Sequence, residues 1–190
     1  MIVWDGQAWL GGDTQKLWVK TDGEYSTDDG RFEEAEVQAL YSHAVAPFWD
    51  AQFGIRHDIK PDPSRTYATI GLQDIASYWF ELDSALFVSN KADVSLRLEA
   101  EYDLRLTQRL LLQPRIELNV SFFDDDEIGI GSGLSSVQTG LRLRYAITRQ
   151  FAPYVGLSWR RDVGNTAKLP RQANNEADQL SLIAGARFWF

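Results

Sequence analysis

His43 and His57 are the only imidazoles in the chain, cysteine is absent, and the single methionine is Met1. Neither a disulfide framework nor a thiolate metal site can form from such a set. No serine motif accompanies the histidines, and phosphate-loop, dinucleotide-binding and zinc signatures are missing. What the chain does carry is charge at every second position. Residues 94–106 set Ser95, Arg97, Glu99, Glu101, Asp103 and Arg105 against Val94, Leu96, Leu98, Ala100, Tyr102, Leu104 and Leu106. The formal net charge of −8 leaves no basic stripe for phosphates and argues against a nucleic-acid partner. It suits a barrel with acidic loops and interior, and an ordinary acidic soluble surface equally well.

Strict alternation is the mark of a strand with one apolar and one polar face. It recurs in residues 109–123, where Leu110, Leu112, Pro114, Ile116, Leu118, Val120 and Phe122 oppose Gln113, Arg115, Glu117, Asn119 and Ser121. It recurs again in residues 134–147 and 150–163, with Arg142, Arg144 and Arg160 on the polar side. Eleven strands are expected, at 2–10, 15–25, 31–45, 48–59, 65–75, 77–89, 92–106, 109–123, 134–147, 150–163 and 178–190. Most reach or exceed the roughly 9–11 residues of a tilted membrane strand and outrun the average of about five to six in soluble domains. No apolar run approaches the roughly 20 residues a membrane helix needs.

Residues 1–190 therefore read as one all-β domain, a transmembrane antiparallel up-and-down barrel of the bacterial outer-membrane type with 10–12 strands. Short turns, as at Thr107-Gln108-Arg109 and Thr148-Arg149, belong at one rim. Longer polar loops, such as residues 124–133 and 164–177, belong at the other. Single-chain barrels have even strand numbers, so twelve is expected for a full parent and ten is the alternative. The start, Met1-Ile2-Val3-Trp4-Asp5, lacks the parts of a signal peptide, and the chain is expected to be a mature or shortened portion. Phe48, Trp49, Tyr145, Phe151, Phe188 and Phe190 fit an aromatic girdle at the short-turn rim; Phe87, Phe122 and Trp159 fit one near the loops. The last strand, alternating and ending on Phe190, is similar to the terminal signal read by the bacterial barrel-assembly machinery, an expected partner beside outer-membrane lipid.

The polar parities converge on the lumen: Lys20, Asp22, Glu34, Glu36, Asp50, Arg56, Asp58, Glu81 and Asp83 early, with Arg97, Arg105, Arg115, Arg142, Arg144, Arg160 and Arg187 later. Acids dominate the first eight strands and arginines the later ones. Two outcomes stay open: a polarised cation path, or a lumen plugged by arginine–carboxylate pairs. Arg97, Arg105, Arg115, Arg142 and Arg144 are expected to meet Glu99, Glu101, Asp103 and Glu117. His43 and His57 fall on the apolar parity. His57 near the loop rim keeps an outer-membrane hydrolase as an alternative, but the chain is expected not to be an enzyme.

Several stretches resemble the copper resistance protein B family of outer-membrane proteins. They are WDGQAWLGGDTQKLWVKTDGE (4–24), PFWDAQFGIRHD (47–58), RTYATIGLQDIASYWFELD (65–83), EAEYDLRLTQRLLLQPRIELN (99–119) and GARFWF (185–190). The resemblance covers essentially the whole chain. It implies copper homeostasis at the bacterial outer membrane, with copper ions as the species bound or passed. Family members usually carry a Met- and His-rich segment whose ligands suit copper; residues 1–190 hold no such segment. The residues left to contact copper are His43 and His57 with the carboxylates Glu34, Glu36, Asp50, Asp58, Glu81 and Asp83, and His57 beside Asp58 is the best mixed pair. A general small-solute channel or structural barrel is the alternative function.

Overall fold

Period-two sequence becomes strand along almost the whole length. The computed structural model describes residues 2–26, 30–60, 62–75, 80–125, 129–148, 151–168 and 178–188. Its strands are β1 (Ile2–Gly11), β2 (Gln15–Ser26), β3 (Arg31–Ala46), β4 (Trp49–Lys60), β5 (Arg65–Ile75), β6 (Phe80–Ser89), β7 (Val94–Tyr102), β8 (Leu104–Arg105), β9 (Leu110–Ser121), β10 (Gly133–Tyr145), β11 (Phe151–Asp162) and β12 (Asp178–Phe188). Among the described residues a single 3-10 turn spans Thr166–Lys168. Each long strand pairs antiparallel with its neighbours in chain order, in one continuous sheet. This is the expected all-β, up-and-down barrel.

The eleven long strands match the expected spans to within a few residues, with one break. Residues 92–106 were expected as one strand, and β8 instead continues β7 after an interruption at Asp103. β8 resumes the pairing with β9 in unchanged register, Leu104 opposite Leu112 after Glu101 opposite Arg115. Pro114 of β9 faces this gap, and proline has no N–H to donate to a ladder. The sheet curls until β1 lies against β12. Eleven long strands joined antiparallel leave those two pointing the same way, and among the described residues no ladder pairs them.

The sequence parity decides which face of the wall each side chain takes. Leu157 and Leu182 are 50 and 71 % exposed on the outside, with Leu98, Leu141 and Leu143 beside them in the apolar band. Gln113, Glu117, Arg142, Arg144 and Ser181 are buried inside. A fold that exposes its leucines and buries its arginines is inverted relative to a soluble domain, as a lipid-surrounded barrel requires. Phe48, Trp49 and Tyr145 stand exposed at the short-turn rim, and Phe122 near the loops. Phe87 departs from the expected girdle: it shares the parity of Asp83 and Ala85 and is turned into the lumen, 2 % exposed. Trp189 and Phe190 lie outside the described residues.

A salt-bridged lumen as the candidate functional site

Inward parity on eleven strands brings the charged side chains within reach of one another. Along the β7–β9 wall, Arg115 is 2.7 Å from Glu99, 3.0 Å from Glu117 and 3.7 Å from Glu101. Arg142 approaches Glu101 at 3.8 Å, and Arg144 meets Asp103 at 2.7 Å. Arg97 lies 3.6 Å from Glu117. The expected arginine–carboxylate meeting is therefore present for Arg97, Arg115, Arg142 and Arg144; Arg105 sits exposed near the rim on β8.

Other pairs cross the lumen. Arg97 of β7 reaches Glu36 of β3 at 3.2 Å, and Lys20 of β2 reaches Asp83 of β6 at 2.8 Å. Each pair is four strands apart in the sheet order. At about 4.8 Å per strand the path along the wall would be roughly 19 Å, so these contacts are chords through the interior. Arg160 of β11 and Glu34 of β3 form another, from either side of the β1–β12 seam. The interior is thus spanned by ion pairs rather than open as in a wide porin. Between the chords remains a cavity of about 100 Å³ bordered by Gln7, Lys20, Gln52, Thr69, Asp83 and Glu99. That is room for a few waters at roughly 30 Å³ each.

The loop-side mouth is tied as well. Arg65, 3 % exposed, forms ion pairs with Asp93 of the β6–β7 turn and with Asp125 of the β9–β10 loop. The backbone N–H of Ser132 donates to the Asp124 carboxylate at 2.6 Å, which holds that carboxyl below its ordinary pKa. The Thr166 hydroxyl accepts from the Gly131 N–H at 3.0 Å. Alternation cannot reveal this knot, because Asp93, Asp125 and Thr166 lie in turns and loops.

The eight residues expected to contact copper are distributed. Glu36 and Asp58 share Arg56, at 2.8 and 2.6 Å. Asp50 is held by Lys16 at 3.2 Å and by the Ser42 hydroxyl at 3.3 Å. Glu81 and Asp83 border the lumen cavity, and Glu34 is engaged by Arg160. His43 and His57 are exposed on the outer face, where Nδ1 of His57 lies 2.9 Å from the Thr66 hydroxyl. His57 and Asp58, adjacent in sequence, therefore point to opposite sides of the wall. Among the described residues no three histidine or carboxylate side chains gather as a metal cluster. The interior groups absent from the expected set are aromatic and apolar, Phe87, Tyr67, Trp18 and Leu40. All four share the parity of charged lumen residues on their strands, and that parity was the available signal.

The chain is 46 % identical over 187 residues to copper resistance protein B of Escherichia coli, covering 98 % of this chain and 62 % of that protein. It is 45 % identical over 189 residues to a copper resistance protein B homolog of Pseudomonas syringae pv. tomato, covering 100 % of this chain and 64 % of that one. The chain thus spans less than two thirds of the length of these relatives. Among solved structures, the NanC porin in a rhombohedral crystal form superposes with a TM-score of 0.65 at 10 % identity. The alignment covers 97 % of this chain and 91 % of that one, a likeness of fold. The family model described as copper resistance protein B precursor matches residues 1–190, and the chain belongs to that family.

Proposed function

We propose that this barrel resides in the bacterial outer membrane and acts in copper resistance, binding or passing copper ions through a lumen too constricted for general solutes. Family membership supports the copper role, and a non-enzymatic resistance protein is the reading it favours. The observation that carries the rest is the set of chords, Arg97–Glu36 and Lys20–Asp83, which cross the lumen beside a cavity of about 100 Å³. Within this reading the carboxylates Glu34, Glu36, Asp50, Asp58, Glu81 and Asp83 act as separate weak stations, while His43 and His57 face outward. The inner carboxylates contact Cu(II) in passing, and the two histidines serve the membrane-facing wall. Higher affinity then belongs to parts of the longer relatives that this chain does not span. Outer-membrane lipid surrounds the leucine band, and the barrel-assembly machinery recognises the closing strand through Phe190.

Growth of cells lacking the protein tests the function. They should become copper-sensitive, and the full-length protein should restore tolerance. Restoration by an unrelated general porin would favour the solute-channel alternative. Unchanged copper tolerance without the protein would remove the copper role.

A further inference from the structure

Phe87 is among the most deeply buried side chains described, an aromatic ring set among ionised groups. The Arg56 guanidinium lies 4.6 Å from the ring centroid and that of Arg97 5.4 Å, with Tyr67 edge-on at 6.3 Å. Glu36 ties the two arginines together, at 2.8 Å to Arg56 and 3.2 Å to Arg97. Arg56 continues to Asp58, and Arg97 to Glu117. These residues come from β3, β4, β5, β6, β7 and β9, and the Arg97–Glu36 chord closes them into a collar around the ring. Rigid aromatic bulk at the centre and movable charged side chains around it are the ingredients of a filter.

We propose that the Phe87 collar is the selectivity element of the barrel, closing the lumen to uncharged solutes of sugar size and admitting small cations by exchange against a guanidinium at Glu36. The proposal rests on the reading of the lumen as an ion path. The carboxylates Glu36, Asp58 and Glu117 face the arginines Arg56 and Arg97, and Glu117 is held in addition by Arg115 at 3.0 Å. An arriving cation takes over a carboxylate that a long, rotatable arginine releases. An anion would have to displace a carboxylate that is fixed to the wall and already desolvated. Rings of acidic side chains favour cations on the same electrostatic ground. The arginine that swings aside keeps a partner, because Arg56 retains Asp58 and Arg97 retains Glu117. Phe87 itself has no such freedom, so it limits size.

The test is ion conduction by the purified chain in planar bilayers under a potassium chloride gradient, with insertion checked by heat-modifiable gel mobility. The wild type should give a small, cation-preferring conductance. Phe87→Ala and the milder Phe87→Leu should raise it severalfold, and Phe87→Ala should let glucose swell liposomes. Glu36→Gln should lower the potassium-to-chloride permeability ratio severalfold, whereas Phe122→Ala on the outer face should change nothing. Conductance unaffected by both Phe87 variants, or a permeability ratio kept by Glu36→Gln, would overturn the collar while leaving the ion path intact. An inserted barrel silent in the wild type and in both Phe87 variants would overturn the ion path, and the collar with it.

Discussion

Arg115 stands against three carboxylates, Glu99, Glu101 and Glu117, in a region where Glu99 is directly opposite both Asp83 and Glu117 in the sheet register. Like charges facing each other across strands are destabilising unless a counter-charge sits between them. Arg115→Ala should therefore cost about 3–5 kcal/mol, the usual penalty for stranding a buried charge. The urea midpoint of the detergent-folded barrel measures it, and Arg115→Lys should recover part of the loss. His57→Ala belongs at the opposite extreme. Its ring hydrogen-bonds Thr66 on the outer face, away from Asp58, so the change should leave copper titration of this chain within twofold. A loss of tenfold or more would make His57 a ligand. At this scale the sequence was legible wherever a residue lay on a regular strand. Arg97, Arg115 and Glu117 are inside because their numbers alternate with leucines. Phe87 was misplaced only because its chemistry outweighed its parity, whereas Arg65 found Asp93 and Asp125 through a turn and a loop that carry no period.

The strands make their own predictions. Leu98 lies midway along β7 on the outer face, so Leu98→Arg should cost roughly 2–4 kcal/mol where it meets the bilayer midplane. The same substitution in a soluble core would prevent folding altogether; here, partial loss of insertion into lipid vesicles is the expected reading. Gly54 makes a second case. A Cβ there would strike the Ala39 carbonyl and sit 2.8 Å from the Leu40 Cα on the neighbouring strand. Gly54→Ala should cost about 1–3 kcal/mol by overpacking, seen as a lower thermal midpoint of the folded gel band. Strand spans were readable because eleven segments keep alternation for nine residues or more. The interruption at Asp103 was not, since it arises from Pro114 on the partner strand rather than from any residue in β7 or β8.

For the molecule as a whole, an acidic chain of modest mean hydropathy hides a membrane protein by dividing apolar and polar residues between two faces of one wall. The barrel class follows from that division and from strand length. The parity of eleven is what leaves β1 and β12 parallel at the seam. The assembly role proposed for Phe190 belongs to this scale: its deletion should reduce insertion in cells more than folding into detergent, and equal insertion would rule that role out. Copper passage is the claim on which the functional account turns, and it can be measured directly in liposomes loaded with a copper-sensitive dye and carrying the purified chain. Copper added outside should quench the dye faster than in protein-free liposomes, while the same liposomes resist swelling in glucose. Quenching no faster than in empty liposomes, or glucose swelling at the rate of an open porin, would contradict it.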